Sequence, residues 1–234
     1  MIKKGDFIKI EYTARLKENG FVFDTTNEKL AKETGIFNEK TKYGPIVIVA
    51  GAGYTLKGLD KSFEGKKETD SYTILIKPED AFGKRSSNLI KLIPMSVFKK
   101  NDIMPVPGLT VNTDGVAGVV RSVSGGRVIV DFNHPFAGKD VEYDVNIEGV
   151  VKDTVEKLKS LLIFHTNPDE KSIEIEISKE KAKIKMKTPM IKPIIEMIEK
   201  EIKRNISELN STKIEWDVPD LSEMIKKAEK KEKN

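Results

Sequence analysis

The chain has 234 residues, 38% hydrophobic and 33% charged, and its 41 basic and 37 acidic side chains leave a formal charge of only +4. That length points to two or three compact units. A balance so even argues against a nucleic-acid partner, which needs basic residues concentrated on one face, and the absence of cysteine excludes disulfides, thiolate chemistry and cysteine zinc sites. Residues 6–16 (DFIKIEYTARL) alternate apolar and polar side chains, the period of a half-buried strand. Asn19-Gly20 is a hairpin turn signal, and residues 21–24 form the return strand. Residues 28–34 suit a short helix ended by Gly35. Residues 46–50 read as a buried strand, 56–63 as a short helix ended by Gly65, and 71–77 as a strand broken by Pro78. Residues 91–102 are mixed and apolar, and Pro105 and Pro107 punctuate a loop. Residues 109–111, 116–123 and 127–132 read as strands, the last two joined by Ser124-Gly125-Gly126. Residues 133–138 are a loop and 141–151 a strong strand, so everything to this point reads as antiparallel β with short helices.

After Lys152 the composition changes. Asp153 caps a helix, and residues 172–178 and 182–187 alternate apolar and charged side chains around a turn. A helical pattern begins near Pro189 or Pro193 and runs to Leu209, with Ile191, Ile194, Ile195, Ile198 and Ile202 at helical spacing. Residues 214–218 form a strand, and Pro219 opens a final helix rich in lysine and glutamate. Helix–β–β–helix–β–helix suits a small α+β domain with one sheet face covered. No apolar run is long enough to span a bilayer, and residues 1–12 lack the apolar stretch of a signal peptide. A cytoplasmic protein with no membrane partner is expected.

Four ordered motifs carry a family resemblance. Tyr12-Thr-Ala-Arg-Leu-Lys-Glu-Asn-Gly-Phe-Val-Phe23-Asp24 resembles the opening hairpin of FKBP-type peptidyl-prolyl isomerases, and Gly53-Tyr-Thr-Leu56-Lys-Gly58-Leu59-Asp resembles their entry into the short helix under the active site. Pro78-Glu-Asp-Ala81-Phe82-Gly83 resembles the flap-side motif, and Asn133-His134-Pro135-Phe136 with Tyr143-Asp-Val-Asn-Ile resembles the closing loop and last strand. Simple members have only a few residues between the third and fourth motifs. The spacing here is similar to SlyD-like and archaeal long-type members, in which an insert in the flap binds unfolded chains. The resemblance implies an α+β fold: an antiparallel sheet wrapped on a short helix (residues 1–85 with 133–151), a small mostly-β insert (86–132) and a separate C-terminal α+β domain (152–234).

The implied activity is peptidyl-prolyl cis-trans isomerisation with chaperone-like binding through the insert; the alternative is a holdase with little or no turnover. By resemblance, Tyr12, Phe23, Asp24, Leu56, Phe82 and Tyr143 form the catalytic set, and Ile46, Ile48, Leu59, Ala81 and Phe136 contact substrate. Leu59 would be the floor and the Leu56 N–H would hold a substrate carbonyl. Many members have tyrosine at the position of Phe82, so one hydroxyl bond to substrate is absent here. Leu92, Met95, Phe98 and Met104 are the candidate chaperone surface, since flexible methionine suits promiscuous binding. The chemistry needs no metal and no cofactor, and the histidine-rich tail of some SlyD proteins is missing. The expected partners are unfolded or proline-containing polypeptides, with a homodimer through the C-terminal domain or docking to a ribosome or nucleic acid as that domain's alternatives.

Each residue has a plainer reading. Tyr12, Phe23 and Tyr143 on strands could be simple core, Asp24 before Thr-Thr a turn residue, and His134 a structural loop residue beside Pro135. Gly51-Ala-Gly53-Tyr-Thr-Leu56 has the start of a dinucleotide fingerprint, but its third glycine is replaced by Leu56.

Overall fold

The computed structural model describes residues 1–113, 115–178 and 181–232, with side chains through residue 226. The chain opens with β1 (Phe7–Leu16), β2 (Val22–Thr25), the short helix α1 (Glu28–Glu33), β3 (Ile46–Val49), α2 (Lys57–Ser62) and β4 (Ser71–Ile76). An excursion follows through β5 (Ile90–Pro94), α3 (Met95–Lys100), β6 (Thr110–Thr113), β7 (Val116–Ser124) and β8 (Arg127–Asp131), before β9 (Val141–Val151) returns. The last third comprises α4 (Thr154–Thr166), β10 (Glu174–Ile177), β11 (Lys181–Lys185), α5 (Lys192–Asn205), β12 (Lys213–Asp217) and α6 (Leu221–Glu232). Among the described residues, no helix is long and apolar enough to cross a membrane.

The first sheet runs β2-β1-β9-β4, with β3 also paired to β1, and every pairing is antiparallel. The alternation read in β1 separates its two faces. Ile8, Ile10, Ala14 and Leu16 turn inward with Ile48 of β3 and Tyr143, Val145 and Ile147 of β9, and α2 covers them through Leu59 and the adjoining Phe63. Gly58 permits this close approach: a Cβ there would lie 2.4 Å from Ile76 Cγ2.

The opposite face of the same sheet is buried as well. Phe7, Val49 and Val151 share one core with Leu158, Leu161 and Leu162 of α4 and with Ile198 and Ile202 of α5. The C-terminal unit is therefore packed onto the back of the first sheet. Its own sheet runs β10-β11-β12, an antiparallel hairpin extended by a parallel strand that returns through α5. The helical pattern expected to reach Leu209 stops earlier, because Ile206 leaves the helical region (φ −117°, ψ 94°) and the chain turns to bury both Ile206 and Leu209. On α5, Ile198 and Ile202 are buried in this core, whereas Ile194 and Met197 stay 36% and 44% exposed.

The insert is a four-stranded antiparallel sheet, β5-β8-β7-β6, with a small core of Val111, Val120, Val128, Val130 and Phe98. Phe98 is only 5% exposed, so it is removed from the candidate chaperone surface: α3 turns it inward as the lid of that core. Met95 packs partly on the same core, whereas Leu92 and Met104 are exposed. The root of the insert is clasped by buried Asp131, which pairs with Arg85 and Arg121. Asn133 joins the two crossing segments, accepting from the Ser86 N–H at 2.8 Å and donating to the Ser86 carbonyl at 2.9 Å. Burial alone would raise the Asp131 pKa, but the Asn133 and Arg121 bonds and the Arg85 charge outweigh it and hold the carboxyl below the usual range.

The shared core gives a direct test. Phe7 is on the isomerase-like sheet, and Trp216, the chain's one tryptophan, packs against the same cluster from β12. We expect Phe7→Ala to cost about 3–5 kcal/mol and to lower the unfolding midpoint read by Trp216 fluorescence. A tryptophan transition left at its wild-type midpoint would show that the C-terminal unit folds independently.

Candidate active site

On the α2 face of the first sheet the side chains enclose a cleft of about 540 Å³, within the range of small-ligand pockets. Leu59, 1% exposed, is its floor, and Leu56 stands at the entry to α2. β3 contributes Ile46 and Ile48, β1 contributes Tyr12 and β9 contributes Tyr143. The register of β1 on β9 sets Tyr12 opposite Val145 and Ala14 opposite Tyr143, which leaves the two tyrosine rings 5.7 Å apart on one face. β2 supplies Phe23 and Asp24, and the loops flanking the insert supply Phe82, His134 and Phe136.

The aromatic wall is mutually braced. Phe23 lies 4.9 Å from Phe136 and 5.7 Å edge-on from Phe82, centroid to centroid. His134 stacks on Phe82 at 4.5 Å, and its Nδ1 accepts from the Phe136 N–H at 3.2 Å. These contacts hold the walls apart through edge-on and stacked geometry.

Polar groups are few and placed at the rim. Tyr12 donates its hydroxyl to Asp24 Oδ2 at 2.7 Å. Burial, reinforced by the Asp24 charge and hydrogen bond, pushes the Tyr12 pKa far above its ordinary value, so the hydroxyl stays protonated and fixes the carboxylate. Burial and then the Asp24 charge raise Tyr143 likewise, and among the described residues its hydroxyl has no protein partner, which leaves it free to donate to a ligand. The Leu56 N–H is also uncommitted among the described residues. Asp60 fixes the preceding loop by accepting from the N–H groups of Gly51 at 2.8 Å and Gly53 at 3.0 Å.

Ten of the eleven residues assigned from the sequence to catalysis or substrate contact line this one cleft; Ala81 sits behind it, packed on the core of the first sheet. The sequence reading missed four lining residues. Tyr54 and Thr55 lie inside the motif that led to Leu56, and His134 had been given a loop role alone. Phe164 comes from α4 of the C-terminal unit, outside every motif, and its ring meets Tyr54 edge-on at 4.5 Å. The available signal was its position off the buried Leu158, Leu161, Leu162 stripe of α4, where it is 47% exposed. Tyr54 is held by the same unit, donating to Glu201 of α5 at 2.7 Å.

Such a cleft has the chemistry for rotating a prolyl amide. The planar bond resists twisting by about 18–20 kcal/mol because of its partial double-bond character. Twisting localises the nitrogen lone pair and makes the amide less polar, so a dry apolar enclosure favours the rotated form over the planar one. A barrier lower by about 5–7 kcal/mol corresponds to roughly four to five decades of rate. No nucleophile is required, and Asp24 is the one carboxylate among the lining residues.

Comparison with known proteins agrees with this geometry. The FKBP-type peptidyl-prolyl cis-trans isomerase family profile matches residues 1–99, and the FKBP26 IF domain profile matches residues 91–136. A short-type peptidyl-prolyl cis-trans isomerase of Methanocaldococcus jannaschii is 33% identical over 150 residues, covering 64% of this chain and 94% of that one. A probable FKBP-type 16 kDa peptidyl-prolyl cis-trans isomerase of Pseudomonas fluorescens is 33% identical over 146 residues, covering 60% of this chain and 85% of its own. The isomerase SlyD of Haemophilus influenzae is 26% identical over 145 residues, covering 60% and 76%. With the cleft assembled and the family matched, the chain belongs to the FKBP-type peptidyl-prolyl cis-trans isomerases, as a SlyD-like member.

Proposed function

We propose that this isomerase captures unfolded polypeptides on its insert and presents their prolines to the cleft. The observation that carries the proposal is the uncovered face of the insert sheet. Leu92 on β5 and Ile129 on β8 are register partners, 56% and 36% exposed, on the side opposite the Val128–Val130 core. Met104 is 85% exposed nearby in sequence, and its flexible thioether adapts to varied apolar surfaces. Binding a client on a tethered module raises its concentration at the cleft without any new contact there. The Asp131–Asn133 clasp supports this use by holding the insert root to the flap. Within the cleft, the uncommitted Leu56 N–H and Tyr143 hydroxyl are the donors we assign to substrate carbonyls, with Phe23, Phe82 and Phe136 around the prolyl ring.

The test compares proline-limited refolding of a protein client with isomerisation of a proline tetrapeptide. We expect Leu92→Ser with Ile129→Ser to lower the ratio of refolding to tetrapeptide kcat/KM by about tenfold, the loss of roughly one buried apolar side chain. An unchanged ratio counts against client capture by the insert. A wild-type chain with no tetrapeptide turnover would restore the holdase alternative.

We also propose a homodimer through the C-terminal unit, on one observation: Met224 and Ile225 of α6 are 49% and 50% exposed. Sedimentation of the full chain is expected to give a mass that halves with Met224→Lys and Ile225→Lys, and a wild-type monomer contradicts it.

A further inference from the structure

A second groove, of about 330 Å³, runs between the segment leading into β3 and the outer face of α4. Ile46 and Phe164 line both hollows, so the two adjoin at these side chains. Beyond that junction Pro45 and Val47 form one wall, and Ser160 and Ile163 of α4 form the other.

The groove has the character of a site for a neutral, apolar, extended chain. Its bordering charges are largely spoken for: Lys159 pairs with Glu170 at 3.9 Å, and Lys42 donates to the Pro168 carbonyl. The apolar junction stays half exposed, Phe164 at 47%, although α4 had a buried stripe on which to place an aromatic. β3 pairs only with β1 among the described strands, so its outer edge, which carries Ile46 and Val47 into the groove, has no strand partner. An unpaired edge offers backbone hydrogen bonds to an extended polypeptide.

We propose that the substrate chain continues from the prolyl cleft over Phe164 into this groove, so that the C-terminal unit supplies a subsite for apolar residues flanking the proline. The proposal rests on the isomerase reading of the cleft. It makes the unit beyond residue 151 part of the substrate site and gives the enzyme a preference for sequence around the proline. Tyr54, bridged to Glu201 and edge-on to Phe164, is the positioning residue that couples the two hollows.

The experiment uses the full chain and two labelled peptides: a proline tetrapeptide, and a ten-residue peptide with leucines on one side of the same proline, made in both directions. Fluorescence anisotropy reads affinity, and kcat/KM is measured alongside. One direction of the longer peptide is expected to bind about tenfold more tightly than the tetrapeptide, as burial of one or two apolar side chains provides. Ser160→Gln, which pushes a longer side chain into the groove, is expected to bring that ratio to about twofold or less. Ile163→Thr, a milder change in the wall, should lower it in the same direction.

Equal affinity for both lengths overturns the proposal. So does a length preference that survives Ser160→Gln, which would place the extra contacts on the insert, and so does an equal loss for both peptides, which would mark a structural effect. If Ser160→Gln changes the sedimenting mass and leaves the ratio alone, a second copy of the chain occupies the groove and the proposal fails. A length preference abolished by Ser160→Gln in a chain that turns over no tetrapeptide upholds the groove and faults the isomerase reading instead.

Discussion

The structure depends on a sheet that is dry on both faces at one end. Successive residues of β1, Phe7 and Ile8, are 1% and 0% exposed yet point in opposite directions, and Val49 and Ile48 of β3 repeat the arrangement. One set lies under the prolyl cleft with Leu59, and the other anchors the C-terminal helices. A one-residue slip in this pairing would exchange the two sets, so register ties the cleft and the docking of α4 to the same constraint. Phe164 can stand at the mouth of the cleft because α4 is fixed to the back of the sheet that forms it.

The cleft is built from apolar mass with a sparse polar rim, and the division suits a reaction with no proton to move. The aromatic walls come from segments far apart in sequence, Phe23 on the first hairpin and Phe136 after the insert, and they brace one another. The Tyr12–Asp24 bond fixes the one carboxylate of the lining at the edge. Phe82 keeps the wall while lacking a hydroxyl, and its stacking on His134 uses the ring face. The insert is joined to the first sheet's unit through short segments that Asp131, Asn133 and Arg85 lock together.

Much of this was legible in the sequence because the signals are local. The alternation of residues 6–16, the Asn19-Gly20 turn and the glycines before α2 each specify their own geometry. The ordered motifs then point to Tyr12, Phe23, Asp24, Leu56, Phe82 and Tyr143 as one site. What could not be read depends on how units dock. Phe7 and Val49 look like ordinary strand residues, and nothing local says that they face a second domain. Phe164 looks like an off-stripe aromatic until Tyr54 is seen against it. Phe98 is the reverse case: an apolar residue in a short mixed segment carries no sign of whether its own small core will claim it, and here the core does. The end of α5 was overrun because Leu209 continues the helical spacing although Ile206 has already left the helix.

The central claim is that a water-poor enclosure, without proton transfer, favours the rotated prolyl bond. The most direct measurement is the solvent isotope effect on tetrapeptide kcat/KM, taken with the full chain in H2O and D2O. A ratio of about one is expected, and a ratio of about two or more would contradict barrier lowering by the enclosure alone, since it places a proton in flight in the transition state.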